Sequence, residues 1–306
     1  MMRPSHFGYN EATAASNVFQ RLPSGRSRGE IHVSALQEFE GLSSILRREG
    51  VEVIVFDDTE KPHTPDAIFP NNWISTHEDG SIVLYPMEGV NRRLERRQEI
   101  VEYLKCAHGF HRIVDLTRFE IEGRYLEGTG SMVFDRRQSA IFACLSSRTD
   151  EGVLREFAKR LGWRSVFPFK ANVKTNEETG FNEFHPIYHT NVMMALGETA
   201  AVICAETISD DRERGEILGA LLETGREVIE ITISQIRQFA GNLLQLRSKD
   251  GALLWVMSSS AFESLTTHQR SLLKSDGSKL VHSPLGTIEL VGGGSARCMM
   301  AEIFGP

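Results

Sequence analysis

Arg47-Arg48-Glu49-Gly50-Val51-Glu52-Val53-Ile54-Val55-Phe56 closes an amphipathic helical pattern on a glycine and opens a β-type run at once. A glycine just past a helix takes the left-handed conformation that side chains resist, and alternating valine and isoleucine suit a strand. The same grammar recurs four more times. The helical stretch 31–49 leads to Gly50 and the run 51–56, and 92–107 leads to Gly109 and 112–116. Residues 150–161 lead to Gly162 and 163–167, 210–224 to Gly225 and 227–231, and 262–276 to Gly277 and 279–282. Between these lie hairpin-like pairs: 131–134 with 140–144, 192–196 with 200–204, and 243–246 with 253–256. Each unit reads strand, strand, helix, strand. The five agreements weigh against an ordinary α/β sandwich with coincidental spacing, and no Pro/Gly/Ser tract separates the units. The expectation is one α/β domain over residues 1–306, with pseudo-fivefold repeats whose loops converge on a central site.

Composition narrows the partners. The chain has 306 residues, 41% hydrophobic and 25% charged, enough to bury a sizeable core. A net charge of −7 argues against a nucleic-acid partner. The most basic run, Asn91-Arg92-Arg93-Leu94-Glu95-Arg96-Arg97-Gln98-Glu99, is interleaved with acids and reads as a helix face. No apolar run approaches the ~18 residues of a membrane span, and Met1-Met2-Arg3-Pro4-Ser5-His6 lacks a signal-type apolar segment. Cys106, Cys144, Cys204 and Cys298 lie far apart without CxxC spacing, which fits reduced thiols in the cytoplasm. His185 and His189 sit four apart, but Pro186 argues against the helix a metal pair would need. The expectation is no metal and no membrane. A homo-oligomer is left open.

The chemistry starts at the C-terminus. Gly292-Gly293-Gly294-Ser295-Ala296-Arg297-Cys298 puts a thiol after a side-chain-free turn that could approach a ligand closely. Arg297 is either a cation that favours a thiolate or a structural residue. Four other stretches carry unusual polar residues. Pro65-Asp66-Ala67-Ile68-Phe69-Pro70-Asn71-Asn72-Trp73 ends in paired amides, and Tyr125-Leu126-Glu127-Gly128-Thr129-Gly130-Ser131 sets a carboxylate beside glycines. In Tyr188-His189-Thr190-Asn191-Val192 a histidine and an amide lie two apart, facing one way in extended chain. Ser146-Ser147-Arg148-Thr149-Asp150 places an arginine at a strand-to-helix junction with Thr149 or Asp150 as N-cap. Together these are a nucleophile, an acid/base, an orienting carboxylate and anchors, the parts of covalent catalysis.

These motifs resemble those of the pentein, or guanidino-group-modifying, superfamily. The tail Gly-Gly-Gly-x-x-Arg-Cys-Met resembles the terminal motif of arginine deiminases. Leu126-Glu127-Gly128, His189-Thr190-Asn191-Val192 and Ser147-Arg148-Thr149 are similar to three further deiminase motifs. Pro65-Asp66-Ala67-Ile68-Phe69 and Asn91-Arg92-Arg93-Leu94-Glu95 resemble segments of the dimethylarginine hydrolases. The resemblance runs from about residue 65 to the C-terminus, and Met2-Arg3-Pro4 looks like the family's first strand. It implies a five-bladed αβ-propeller with Cys298 as nucleophile, His189 as acid/base, Glu127 as orienting carboxylate and no cofactor. It also implies that Arg148 and Arg92 bind the substrate α-carboxylate and Asp66 the α-ammonium.

The departures narrow the substrate. Family deiminases carry aspartates where Asn72 and Asn191 stand, and a third where Gly130 stands, which loosens the expected hold on Glu127. A guanidinium closed in without carboxylates is an unpaired buried charge. A ureido group instead needs a donor for its oxygen and an acceptor for its NH2, and asparagine offers both. The whole looks most like the bacterial citrulline-utilisation hydrolases (citrulline ureidases), which implies conversion of citrulline to ornithine, ammonia and carbon dioxide. The protonated His189 would supply the leaving group's proton. The alternatives are a guanidino-group hydrolase or deiminase, or an amidinotransferase, acting on arginine or a derivative. A non-catalytic binding protein of the same fold would have no use for Cys298, His189 and Glu127 together.

Overall fold

The computed structural model describes residues 1–175 and 183–305. All five anticipated glycine stops occur: Gly50, Gly109, Gly162, Gly225 and Gly277 have φ between 73° and 83°. The first long helix, Arg28–Arg48, begins in a Ser27–Glu30 capping box and buries Ile31, Ala35, Phe39, Leu42 and Leu46. That spacing of three and four is one helical stripe. Gln98–His108, Glu151–Leu161 and Asp211–Glu223 repeat the pattern. Asp150 is the N-cap of the middle one, accepting from the Val153 amide at 2.9 Å.

Three expectations need correction. The stretch 92–107 is not one helix. Asn91–Glu95 forms a separate 3₁₀ turn because Arg92 and Glu95 are drawn inward as a buried ion pair at 2.9 Å. The stretch 262–276 divides into Ser259–Ser264 and Thr267–Leu273, since Thr266 caps the second piece through Gln269. Of the run 51–56, only Phe56 enters a strand, Phe56–Asp57, which pairs in parallel with Met2–Arg3.

The other four units are alike. Each has an antiparallel hairpin, then a helical crossover, then a third strand parallel to the hairpin's second. The sheets are Ile74–Thr76, Ser81–Leu84 and Arg112–Asp115; Val133–Asp135, Ala140–Cys144 and Ser165–Phe169; Met194–Leu196, Ala200–Ile203 and Glu227–Glu230; and Leu244–Arg247, Leu253–Ser258 and Lys279–Ser283. No sheet closes on itself among the described residues. The C-terminal tail lies along the first of these sheets, with the Thr76 hydroxyl donating to the Glu302 carbonyl and accepting from the Phe304 amide. A cavity of about 900 Å³ is lined from every unit, by Val53, Arg136, Leu196, Leu246 and Met300 among others. No described helix is long and apolar enough to cross a membrane.

Candidate active site

The turns before the first strand of each three-stranded sheet, with the turn Ala296–Met299, carry the nominated residues, and they touch in cyclic order. In the first turn, Pro70–Asn72, Asn71 exchanges hydrogen bonds with Thr129 of the second at 3.3 and 3.4 Å. Thr190 of the third donates to the Ser131 carbonyl of the second at 2.6 Å. Asn242 of the fourth donates to the Asn191 carbonyl at 2.9 Å and accepts from the Arg297 amide of the fifth at 3.0 Å. The fifth returns to the first, because a Cβ on Gly294 would stand 2.9 Å from the Phe69 ring. The three glycines thus make room for Phe69 and for Asn17, which a Cβ on Gly293 would meet at 2.5 Å. Protein atoms by themselves require them.

Cys298 sits in the 3₁₀ turn Ala296–Met299 and is buried. Its Sγ receives the Asn191 Nδ2 at 3.5 Å and the Asn242 Nδ2 at 3.3 Å. Arg297 turns away from the sulfur and binds the Met300 carbonyl and Glu302 at 2.9 and 3.0 Å, the structural alternative. Glu127 and His189 meet at 2.9 Å through His189 Nε2. Burial pushes Glu127 up, yet Arg148, the His189 contact and Arg92 outweigh it and hold the carboxyl well below the usual carboxylate range. Burial lowers His189 to about 4 against the pull of Glu127, with Arg148 and Arg92 adding to the lowering. The imidazole is therefore neutral at neutral pH, with its Nε2 proton on Glu127 and Nδ1 a free lone pair.

The aspartate lacking at Gly130 is not missed. Ser131 Oγ accepts from the Glu127 amide at 2.9 Å and donates to the Arg148 carbonyl at 2.8 Å, and the Glu88 amide donates to the Glu127 carboxylate at 3.0 Å. There is also no room, since a Cβ on Gly130 would lie 2.4 Å from Asn72 Nδ2 and 2.7 Å from His189 Nδ1.

Asn72 Oδ1 accepts from Arg92 Nη1 at 2.9 Å, which fixes the amide so that Nδ2 points elsewhere, buried and unpartnered. Asn191 is the mirror case, with Nδ2 on the sulfur and Oδ1 buried and unpartnered. Asp66 also keeps one buried oxygen without a partner; the other accepts from Asn10 at 2.7 Å. Arg92 does not present a free fork. Its guanidinium is spent on Glu95, Asn72 and the Phe69 carbonyl, so its expected part as a carboxylate anchor meets no open donor pair. Arg148 is buried as well, on Ser16 at 2.8 and 3.0 Å and the Thr13 carbonyl at 3.0 Å.

Sequence reasoning missed two contributors. Asn242 follows Gly241, whose missing side chain lets the fourth turn pack on the Val192 carbonyl, where a Cβ would stand 2.3 Å away. The signal was present in the Gly-Asn pair before two leucines, a counterpart of Asn72 before Trp73-Ile74. The other is the N-terminal segment 10–20, which reaches the site through Asn10, Thr13, Ser16 and Asn17.

The family model for eukaryotic N,N-dimethylarginine dimethylhydrolase matches residues 3–305. The chain belongs to this family. Solved structures agree in fold. The N-terminal domain of an arginine dihydrolase from the ornithine–ammonia cycle in cyanobacteria has a TM-score of 0.71 at 17% identity, with 99% of this chain and 98% of that one covered. AgrE, solved with ornithine and NAD+, has 0.72 at 18% identity; all of this chain is covered, which spans 39% of AgrE. A dimethylarginine dimethylaminohydrolase, as a histidine-to-glycine variant with an S-methyl-L-thiocitrulline adduct, has 0.62 at 12% identity, with 97% and 96% covered. No curated protein matches in sequence. The family and these folds place the chain in the pentein superfamily, with a mixed α/β architecture.

Proposed function

We propose that this chain is a cysteine-dependent C–N hydrolase whose substrate is a terminal ureido group, that of citrulline. Family membership and the activities of its fold relatives support a hydrolase of guanidino-type amino acids. The narrower reading is carried by one observation: Asn72 is held by Arg92 with its NH2 left over, while Asn191 is held by the sulfur with its oxygen left over. One donor and one acceptor match a ureido C=O and NH2. A guanidinium has only donors, and Asn72 would oppose it with another donor.

In the proposed reaction the Cys298 thiol gives its proton to His189 Nδ1 and sulfur attacks the ureido carbon. The C–N bond breaks as the imidazolium returns the proton to the leaving nitrogen, leaving a thiocarbamate on sulfur. His189 then takes a proton from water, hydroxide adds, and the C–S bond breaks to free carbamate and the thiol. One citrulline and one water give ornithine, ammonia and carbon dioxide. Glu127 keeps the imidazole in the tautomer that exposes Nδ1. The free Asp66 oxygen takes the α-ammonium, and Arg148 takes the α-carboxylate in place of Ser16 and the Thr13 carbonyl. Arg92 is a positioning residue that sets Asn72. The cyclic contact of the five turns supports reading the fold as a five-bladed αβ-propeller in one domain.

A guanidino hydrolase is the second reading, favoured by the free Asp66 oxygen and the anionic Glu127 inside the site. Product analysis decides. Citrulline should exceed arginine and dimethylarginine in kcat/KM by at least ~10²-fold, since an unpaired buried cation costs several kcal/mol and each ~1.4 kcal/mol is tenfold. Asn72→Asp with Asn191→Asp should shrink the ratio. Comparable turnover of arginine would sink the ureido reading and leave the guanidino one.

A further inference from the structure

Asn242 is not among the residues the sequence nominated, and three of its four amide valences are accounted for. Its Oδ1 accepts from the Arg297 backbone N–H at 3.0 Å, a group that can only donate, so the amide cannot be flipped. Its Nδ2 then carries two hydrogens with two acceptors within reach, the Asn191 carbonyl at 2.9 Å and Cys298 Sγ at 3.3 Å. Asn242 is buried, so water does not compete for either. Asn191 Nδ2 reaches the same sulfur at 3.5 Å. The obvious cation is elsewhere, because the Arg297 guanidinium binds Met300 and Glu302, and His189 Nε2 is committed to Glu127.

Resting on the reading of Cys298 as nucleophile, we propose that Asn242 is a catalytic amide donor to it, forming with Asn191 a two-donor cradle that stabilises the thiolate without a cation. A hydrogen bond strengthens when its acceptor is ionised, so two N–H groups aimed at sulfur favour S⁻ over S–H. Neutral donors do so without placing positive charge beside the substrate carbon. The same amide also clasps the third, fourth and fifth turns, which by itself would be a structural role.

The test separates the two roles. In a Cys106→Ser background, which removes the exposed competing thiol, iodoacetamide alkylation of Cys298 is timed at neutral pH and the ultraviolet thiolate absorbance is followed with pH. Asn242→Ala removes the donor. Asn242→Asp keeps the shape and the acceptor for Arg297 N–H but places an anion on the sulfur. Loss of one hydrogen bond to a charged group predicts an alkylation rate lower by about tenfold or more in Asn242→Ala, and lower still in Asn242→Asp. Thiolate absorbance should appear at higher pH in both. Variants that melt earlier or lose turnover while alkylation and absorbance match the parent would overturn the proposal and leave Asn242 a clasp. Failure of the nucleophile reading looks different: Cys298→Ala would keep full turnover, whatever alkylation shows.

Discussion

Asn72 cannot turn its amide over without setting two hydrogens against the Arg92 guanidinium, and Gly130 leaves that amide the only space it has. The position where deiminases carry an aspartate is therefore occupied, in volume, by Asn72 and His189. Gly130→Ala should cost activity out of proportion to stability. Its Cβ would have to displace the Asn72 amide or the His189 ring by several tenths of an ångström, and misplacing reacting groups by about an ångström is worth ~10²-fold. The expected result is a kcat/KM lower by about that factor with a nearly normal thermal melt; full activity would show that the two side chains yield freely. Cys298, His189, Glu127, Asn72 and Asn191 could be nominated because their motifs lie in short turns. The charge state of His189 could not. The neutrality of His189 follows from burial beside Arg148 and Arg92, which reach it from 41 and 97 residues away in sequence.

At the scale of elements, the repeat was legible wherever a helix ended on glycine, and least so where tertiary contacts override local pattern. Arg92 reads as part of a continuous helix because its partners Asn72 and Phe69 cannot be inferred from spacing. The segment 10–20 has no apolar period, yet Asn10, Thr13 and Ser16 occupy Asp66 and Arg148, the groups proposed to bind the substrate's two charged ends. The Ser16 and Thr13 bonds to Arg148 must break for the proposed α-carboxylate to bind, so they oppose it. Ser16→Ala removes two acceptor contacts from Arg148 and one donor contact to Glu88. With a net value of about 1 kcal/mol for such a set, KM for citrulline should fall about fivefold. KM for a ureido compound lacking the α-carboxylate should not change. A raised KM for citrulline would mean that Ser16 orders Arg148 for the substrate and does not compete with it.

The molecule as a whole buries two imidazoles that stay neutral, and this makes its stability depend on acid. Burial, with help from Arg136, lowers His77 to about 3, and burial lowers His189 to about 4, against 6.5 for a free histidine. Below pH 6.5 the unfolded chain takes up a proton at each position while the folded chain does not. The unfolded state then binds more protons, so stability rises with pH across this window and falls as pH drops from about 6.5 towards 4 and 3. Carboxyls complicate the raw curve. Burial pushes Glu95 up to about 7 against the pull of Arg92, which has the opposite sign, stability being lost as pH rises through it. A difference between variants removes that term. His77 lies among the rings of Phe134, Phe157 and Trp163 with Nε2 on Ser75, so glutamine keeps a polar partner for Ser75 without a titrating group. His77→Gln is expected to be less stable than wild type at pH 7.5, because ring packing is lost. The gap should then narrow as pH falls, by up to ~1.4 kcal/mol per unit below 6.5, since only wild type carries the histidine penalty. Urea unfolding of both proteins at several pH values measures it. A gap independent of pH between about 6.5 and 4 would mean that His77 takes up its proton inside the fold, and that the aromatic cage around it admits water.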